Sequence, residues 1–424
     1  MFDRFERMDM TREPERQRLR PIIWMYVFPE LMRHRFKLYR HNMEGVKPPY
    51  LMLCSHNAFI DFRVAGRAVF PHRSNYVSAI NAYVGKEQLV RAVGCICTRR
   101  YASDPILVRQ LRRVVKRGDV AVMYPEARYT LCGTPTVLPD SIGKLVKFLK
   151  VPVVTLIGHG IHINSPFWSI GDRGVRGLTA DMTCVLRPDE IKKLPADEIN
   201  AIIREKFTFD DFRWQKENNI RVALPSRAEG LHKVLYQCPS CRTEYKMTSG
   251  GARLRCTKCG REWEMTELGE LRALSGETEF EHIPDWYEWE REQVRREIEA
   301  GEYSFQSPVR VELLPNADGY VNLGTATLTH DESGITLEGA FEDEHYLIEK
   351  PVNSMYTLQI EYNYHGCGQD CIGLSTSRDS FYIYPLCDGF SVTKLSLAVE
   401  EMYKVNAARK KLEKEGTNEQ RNAS

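Results

Sequence analysis

Four cysteines restrict this chain more tightly than any other feature of its sequence. Cys238-Pro-Ser-Cys241 and Cys256-Thr-Lys-Cys259 form two C-x-x-C pairs separated by fourteen residues that include Gly250-Gly251. Four thiolates on two turn-like knuckles suit a tetrahedral Zn²⁺, and the intervening segment is long enough for a hairpin. Gly260 permits the tight turn after the second knuckle. All four positions serve as protein ligands, so the expected site is closed and structural; redox chemistry at either pair is the competing reading. Cys54, Cys95, Cys97, Cys132 and Cys184 lie in or beside apolar runs instead, where a reduced cysteine behaves as a small hydrophobe. Paired metal ligands and buried thiols fit a reducing compartment, and the acidic N-terminus (Asp3, Glu6, Asp9) lacks the pattern of a secretory signal. The protein is therefore expected to be intracellular.

Upstream of the cysteines the chain alternates short apolar runs with helical spacing. Tyr50–Cys54, Val120–Tyr124 and Val151–Ile157 are continuous apolar stretches, as in strands buried on both faces. Asp61–Phe70, Ile106–Lys116 and Ser141–Leu149 carry helical periodicity between them. This order predicts an α/β domain with a largely parallel sheet over residues 46–225. The small metal module is expected over 230–268, followed by a charged connector helix over 278–302 with Pro284 in its first turn and Gly301 past its end. Residues 305–406 read as β-rich: Val309, Val311 and Leu313 alternate, Ala326–His330 and Ile335–Leu337 flank a turn, and Met355–Tyr364 and Ser380–Pro385 give further strands. A helix over Val392–Val405 closes that run, and the polar tail 407–424 is expected to be disordered. Antiparallel strands closed by one helix resemble a pleckstrin-homology-like barrel in element order.

The chemistry-bearing stretch is Ser55-His-Asn-Ala-Phe-Ile-Asp61. On one regular helix, residues five apart point roughly 140° away from each other. They meet if His56 sits on the turn after a strand and Asp61 in the first turn of the next helix, where a carboxylate is also favoured. A histidine held this way keeps one tautomer and has its cationic form stabilised, so it can take a proton from an attacking hydroxyl. A turn histidine beside a helix-start carboxylate, with no chemical role, is the plainer reading.

Three further motifs accompany this pair. Gly94-Cys-Ile-Cys-Thr-Arg-Arg100 places an arginine six residues after a glycine. Tyr124-Pro-Glu-Ala-Arg128 follows an apolar run, and Val151-Pro-Val-Val154 opens another. In order and spacing the four motifs resemble the glycerolipid acyltransferase family, which includes 1-acyl-glycerol-3-phosphate acyltransferases, over about residues 46–160. Two departures stand out. Ser55 replaces the usual Asn before the His, and the third motif, normally Phe-Pro-Glu-Gly-x-Arg, is one residue shorter between Glu126 and Arg128. The resemblance implies that His56 is the general base and Asp61 its support. It also implies that Arg100 and Arg128 bind an acceptor phosphate through fork-like donors, with Arg99 an adjacent candidate, and that Glu126 binds acceptor hydroxyls or orients an arginine. The implied donor is acyl-CoA, an acyl-carrier protein or an acyl phosphate, and the acceptor is a lysophospholipid, 1-acyl-glycerol-3-phosphate giving phosphatidic acid. The paired cysteines then resemble a zinc ribbon appended to such a domain.

Residues 1–45 are expected to contact a membrane. Pro21–Met32 is apolar and aromatic but too short to span a bilayer, and Arg16, Arg18 and Arg20 precede it while Arg33, Arg35, Lys37 and Arg40 follow. Such a segment suits a helix lying in the headgroup region; packing against the following domain is the alternative. The expected location is thus cytoplasmic and peripheral, on the inner face of a membrane. The formal net charge is only +2, so no nucleic-acid partner is expected, and the ribbon or the C-terminal domain is the candidate surface for a protein partner. A function of a different class also fits: a membrane-recruited zinc-ribbon binding or scaffold protein whose acyltransferase domain has decayed.

Overall fold

The computed structural model of the protein describes residues 2–102, 104–387 and 389–422, with side chains described up to residue 410. The chain enters helix α1 (Arg20–Arg33), then strand β1 (Lys37–His41), β2 (Leu51–Cys54), helix α2 (Asp61–Val69), β3 (Ser74–Ala79), α3 (Glu87–Ala92) and β4 (Cys95–Thr98). Next come α4 (Pro105–Lys116), β5 (Val120–Met123), α5 (Ser141–Leu149), β6 (Val153–His159), α6 (Ile161–Asn164) and β7 (Thr179–Leu186). Helices α7 (Pro188–Lys193), α8 (Ala196–Lys206) and α9 (Asp211–Glu217) follow. The apolar runs form the middle of one sheet, in the order β1-β7-β6-β2-β5-β3-β4. Strands β6, β2, β5, β3 and β4 are mutually parallel, and β7 joins antiparallel at β6. All four residues of β2 are buried because helices cover both faces. The α/β arrangement read from the sequence is present. The sheet also takes in Lys37–His41, which pairs in parallel with β7, so two of the basic flanking residues, Lys37 and Arg40, belong to a strand.

The cysteine module is a small antiparallel sheet of β8 (Met247–Gly250), β9 (Arg253–Cys256), β10 (Glu262–Met265) and β11 (Leu271–Ala273), in the order β11-β10-β9-β8. Its buried Trp263 packs edge-on against Trp286 of the connector helix α10 (Ile283–Glu299). A second antiparallel sheet follows: β12 (Phe305–Leu314), β13 (Val321–Asp331), β14 (Gly334–Phe341), β15 (Glu344–Pro351), β16 (Gln359–Glu361), β17 (Cys371–Ser375) and β18 (Ser380–Pro385). Its order is β15-β14-β13-β12-β18-β17-β16, so the first and last strands meet in the middle.

Three expectations need correction here. Met355–Tyr364 is not one strand: only Gln359–Glu361 pairs, because the backbone turns at Val352–Ser354 and enters a left-handed conformation at Asn363. The final helix α11 (Val392–Asn422) does not stop at Val405, and residues 407–422, expected to be disordered, continue it. The run Ala407-Ala-Arg-Lys-Lys-Leu-Glu-Lys-Glu415 consists of strong helix formers, which polarity alone conceals. Finally, residues 1–45 are not a single amphipathic segment: residues 2–19 precede α1 and pack across the protein. They strap the two large units together: Met8 N–H donates to Pro315 O, the Asn316 side chain donates to Glu6 O, and Arg91, Gln110 and Arg117 hold the carbonyls of Asp9, Met10 and Pro14.

Candidate active site and metal centre

His56 follows the carboxyl end of β2, Arg100 the end of β4, and Tyr124 and Glu126 the end of β5. The outer carboxyl ends of parallel strands are where open α/β sheets bind ligands. The His56 turn is closed by Asp61, the first residue of α2. Its Oδ2 accepts the backbone N–H groups of Asn57 at 2.5 Å and Ala58 at 3.0 Å, and lies 3.2 Å from His56 Nδ1. Burial pushes the Asp61 carboxyl up, and the hydrogen bonds from His56, Ala58 and Asn57 oppose it. With Nδ1 facing the carboxylate, Nε2 is the nitrogen left for an acceptor hydroxyl. Ser55, in place of the usual Asn, accepts from Gly158 N–H on β6 at 3.0 Å and so ties the turn to the neighbouring strand.

The tyrosine rings of Tyr124 and Tyr129 lie 4.4 and 4.2 Å from the imidazole, centroid to centroid, and fix its plane. Tyr129, adjacent to the third motif, was not singled out by sequence; it carries no spacing signal of its own.

Glu126 is wholly buried beneath this turn. One oxygen accepts His56 N–H at 2.9 Å and the other accepts Thr136 N–H at 2.7 Å, while Thr130 N–H donates to His56 O at 2.8 Å. Burial pushes its carboxyl up to about 7, against the pull of those two N–H groups. In this position it holds the His56 backbone and lies outside the cleft lining. The shortened third motif is accommodated by Ala127, whose φ of 56° is the left-handed conformation that a glycine takes at least cost.

His56, Tyr124 and Tyr129 open onto a cleft of about 640 Å³ with a predominantly apolar lining. Ile22, Ile23 and Tyr26 of α1, Phe59 and Phe62 beside α2, and Leu89 of α3 form its walls. Helix α1 buries Ile23, Val27 and Leu31 against the domain and exposes Ile22, Met25, Tyr26 and Met32. Trp24 and Phe28 pack edge-on against Phe70. Exposed Phe59 and Leu89 continue the apolar rim at the mouth of the cleft.

The arginines part company. Arg100 lines the cleft, 3.2 Å from Glu361 Oε1 on β16. Burial works against its charge, and Glu361 together with the neighbouring Tyr382, Tyr101 and Tyr129 outweighs it, leaving its pKa above the ordinary value. Arg128 is buried outside the cleft lining and donates to Glu400 Oε1 of α11 at 2.6 Å, both side chains being 3% exposed or less. Glu400 also accepts from Arg291 of α10 at 2.7 Å and from the Thr357 hydroxyl at 2.5 Å. Arg128 is thus engaged between domains through Nη2, outside the cleft lining. Arg99 is buried and absent from the cleft lining too.

The Sγ atoms of Cys238, Cys241, Cys256 and Cys259 all lie within 4.8 Å of one another. The Cys238–Cys259 and Cys241–Cys256 separations are 3.7 Å. A tetrahedron with Zn–S bonds of about 2.3 Å has edges of about 3.8 Å, so the four thiols fit zinc. The residues converge without an open ligand position, as a structural site requires. A second group, Glu30, His34 and Asp172, is satisfied internally: His34 Nε2 lies 3.2 Å from both carboxylates, and Arg33 pairs with them.

No family model matches the sequence, and no curated protein matches it. Among solved structures the chain is distantly similar to the 1-acyl-sn-glycerophosphate (LPA) acyltransferase PlsC from Thermotoga maritima, at 12% identity and a TM-score of 0.34, over 45% of this chain and 81% of that one. So distant a likeness does not define the chemistry, which has to be read from the site itself.

Proposed function

We propose that this protein is an O-acyltransferase that works at a membrane surface on a lysophospholipid acceptor. The observation that carries this is the His56–Asp61 pair at the polar end of a large apolar cleft. His56 Nε2 takes the proton of an acceptor hydroxyl as its oxygen attacks the carbonyl of an acyl thioester. The C–S bond breaks, and the imidazolium returns the proton to the departing thiolate. Asp61 holds the tautomer and supports the cation. The apolar walls suit acyl chains, and Arg100, with exposed Lys86 as the lining's other cation, is the proposed partner of a headgroup phosphate. Among the described residues no helix is long and apolar enough to cross a membrane. The exposed apolar face of α1, continuous with the cleft mouth, is the proposed membrane contact, and the proposed location is peripheral on the cytoplasmic face of a membrane. The four cysteines are proposed to hold one structural Zn²⁺. The seven-stranded order with its closing helix supports a pleckstrin-homology-like reading of the C-terminal domain.

Transfer from acyl-CoA to lysophospholipid by the purified chain is the test. His56→Ala should lower turnover by at least about 10²–10⁴-fold while leaving the protein folded. Replacing exposed Ile22 and Met25 with Ser should lower turnover on vesicle-borne acceptor more than on a soluble short-chain one. Near-normal turnover in a folded His56→Ala protein would eliminate the catalytic assignment. The capture of Arg128 by Glu400 favours the second reading, a binding or scaffold protein with a decayed catalytic domain. Absence of transfer to every acceptor, with vesicle binding retained, would establish it.

A further inference from the structure

Glu361 reaches the catalytic cleft from β16 of the C-terminal sheet, 261 residues downstream of the arginine it meets. The Arg100 and Glu361 side chains are 15% and 16% exposed, so both remain reachable, and both line the same cleft as His56. The contact is a single one, from Arg100 Nη1 to Glu361 Oε1 at 3.2 Å, and the Gln359 amide donates to that same oxygen at 3.2 Å. Among the described residues no hydrogen bond reaches Glu361 Oε2, and none is made by Arg100 Nε or Nη2. The pair therefore presents unused donors beside an unused carboxylate oxygen.

Resting on the acyl-transfer reading above, we propose that the Arg100–Glu361 pair selects an acceptor with a zwitterionic headgroup, a phosphodiester bearing an ammonium. The phosphate takes the free face of the guanidinium, and the ammonium takes Glu361 Oε2. The ion pair need not open, and the charge of the occupied site stays balanced. A phosphomonoester is placed differently. It carries about −1.5 to −2 at neutral pH, and Glu361 has already neutralised Arg100, the partly buried cation of the cleft lining, the other being the solvent-exposed Lys86. Like charges held together in a partly buried site are strongly disfavoured. The expected acceptor thus moves away from 1-acyl-glycerol-3-phosphate. Because β16 supplies Glu361, the C-terminal domain completes the acceptor site.

The experiment compares three lysophospholipids of one chain length, with phosphate, phosphoethanolamine or phosphocholine headgroups, using the purified full chain and acyl-CoA. The unsubstituted protein should favour the ammonium-bearing acceptors by about tenfold to hundredfold in kcat/KM, the effect of one charge-assisted contact. Glu361→Gln should erase most of that ratio, raising KM for ammonium acceptors and lowering it for the phosphomonoester with little change in kcat. Glu361→Asp should keep the preference. Turnover that favours the phosphomonoester in the unsubstituted protein overturns the headgroup assignment while leaving acyl transfer standing, and needs no variant to fold. A ratio unchanged in Glu361→Gln overturns it equally and reduces Glu361 to a clamp between domains. Loss of transfer with all three acceptors, by contrast, would bring down the acyl-transfer reading itself.

Discussion

Arg100 and Arg128 sit in similar motif contexts, yet the structure gives them opposite work. Arg100 faces the cleft, whereas Arg128 is closed over by α11 and bonded to a wholly buried Glu400. Removing one partner of a buried ion pair strands the other charge, at a cost of about 3–5 kcal/mol. Arg128→Ala is therefore expected to lower the stability of the folded chain by that order in chemical denaturation, with acceptor KM unchanged in the protein that remains folded. A stable variant with a raised acceptor KM would return Arg128 to the binding site. The His56–Asp61 pair was legible because both residues lie within one turn, where spacing is geometry. Glu361 and Glu400 were not legible, since their arginines lie 261 and 272 residues upstream and no local pattern marks a carboxylate that will meet them. For Glu126 the motif announces a carboxylate near the histidine, but not that its oxygens face the backbone N–H groups of His56 and Thr136.

At the scale of elements, the strands of the α/β domain that the sequence announced are those buried on both faces, such as Leu51–Cys54, where an uninterrupted apolar run has few alternatives. Glu344–Pro351 escaped because its exposed alternate positions include the apolar Leu347 and Pro351, which breaks the polar alternation, and only Tyr346 is buried. The four ligands of the cysteine module were legible, because their spacing fixes its two knuckles, whereas its last strand, Leu271–Ala273, lies beyond the expected 230–268. Its sheet is small and has little apolar content beyond Leu254, Trp263, Met265 and Leu271, so zinc should supply much of its stability. One zinc per chain is expected by metal analysis. Cys256→Ser should release it and expose Trp263 and Trp286 to solvent, read as a red shift in tryptophan emission. Zinc retained after replacement of both Cys256 and Cys259 would refute the site.

At the scale of the molecule, one carboxylate joins three units. Glu400 of α11 meets Arg128 of the α/β domain, Arg291 of the connector helix and Thr357 before β16. Burial opposes its charge, but Arg128, Arg291 and the Thr357 hydroxyl hold its carboxyl down to about 2, from an ordinary 4.5. The folded state thus binds this proton more weakly than the unfolded state does. The resulting stabilisation is fully present above about pH 4.5 and is lost as pH falls toward 2, and a shift of this size corresponds to about 3 kcal/mol. Urea denaturation of the full chain should accordingly show stability falling between pH 5 and pH 3. Other carboxylates contribute to that fall, among them Asp210, held low by His282 and the Arg213 N–H, and Glu401, held low by Lys404 and Arg291. The informative quantity is therefore the difference between the unsubstituted chain and Glu400→Gln. That difference should be largest at pH 7 and shrink on acidification, because protonation gives the native glutamate the neutral form that glutamine already has. The unfolding that follows should also disturb the cleft, since α11 packs on the sheet whose β16 supplies Glu361. A difference that stays constant from pH 7 to pH 3 would mean that Glu400 is not the ionised link between the domains.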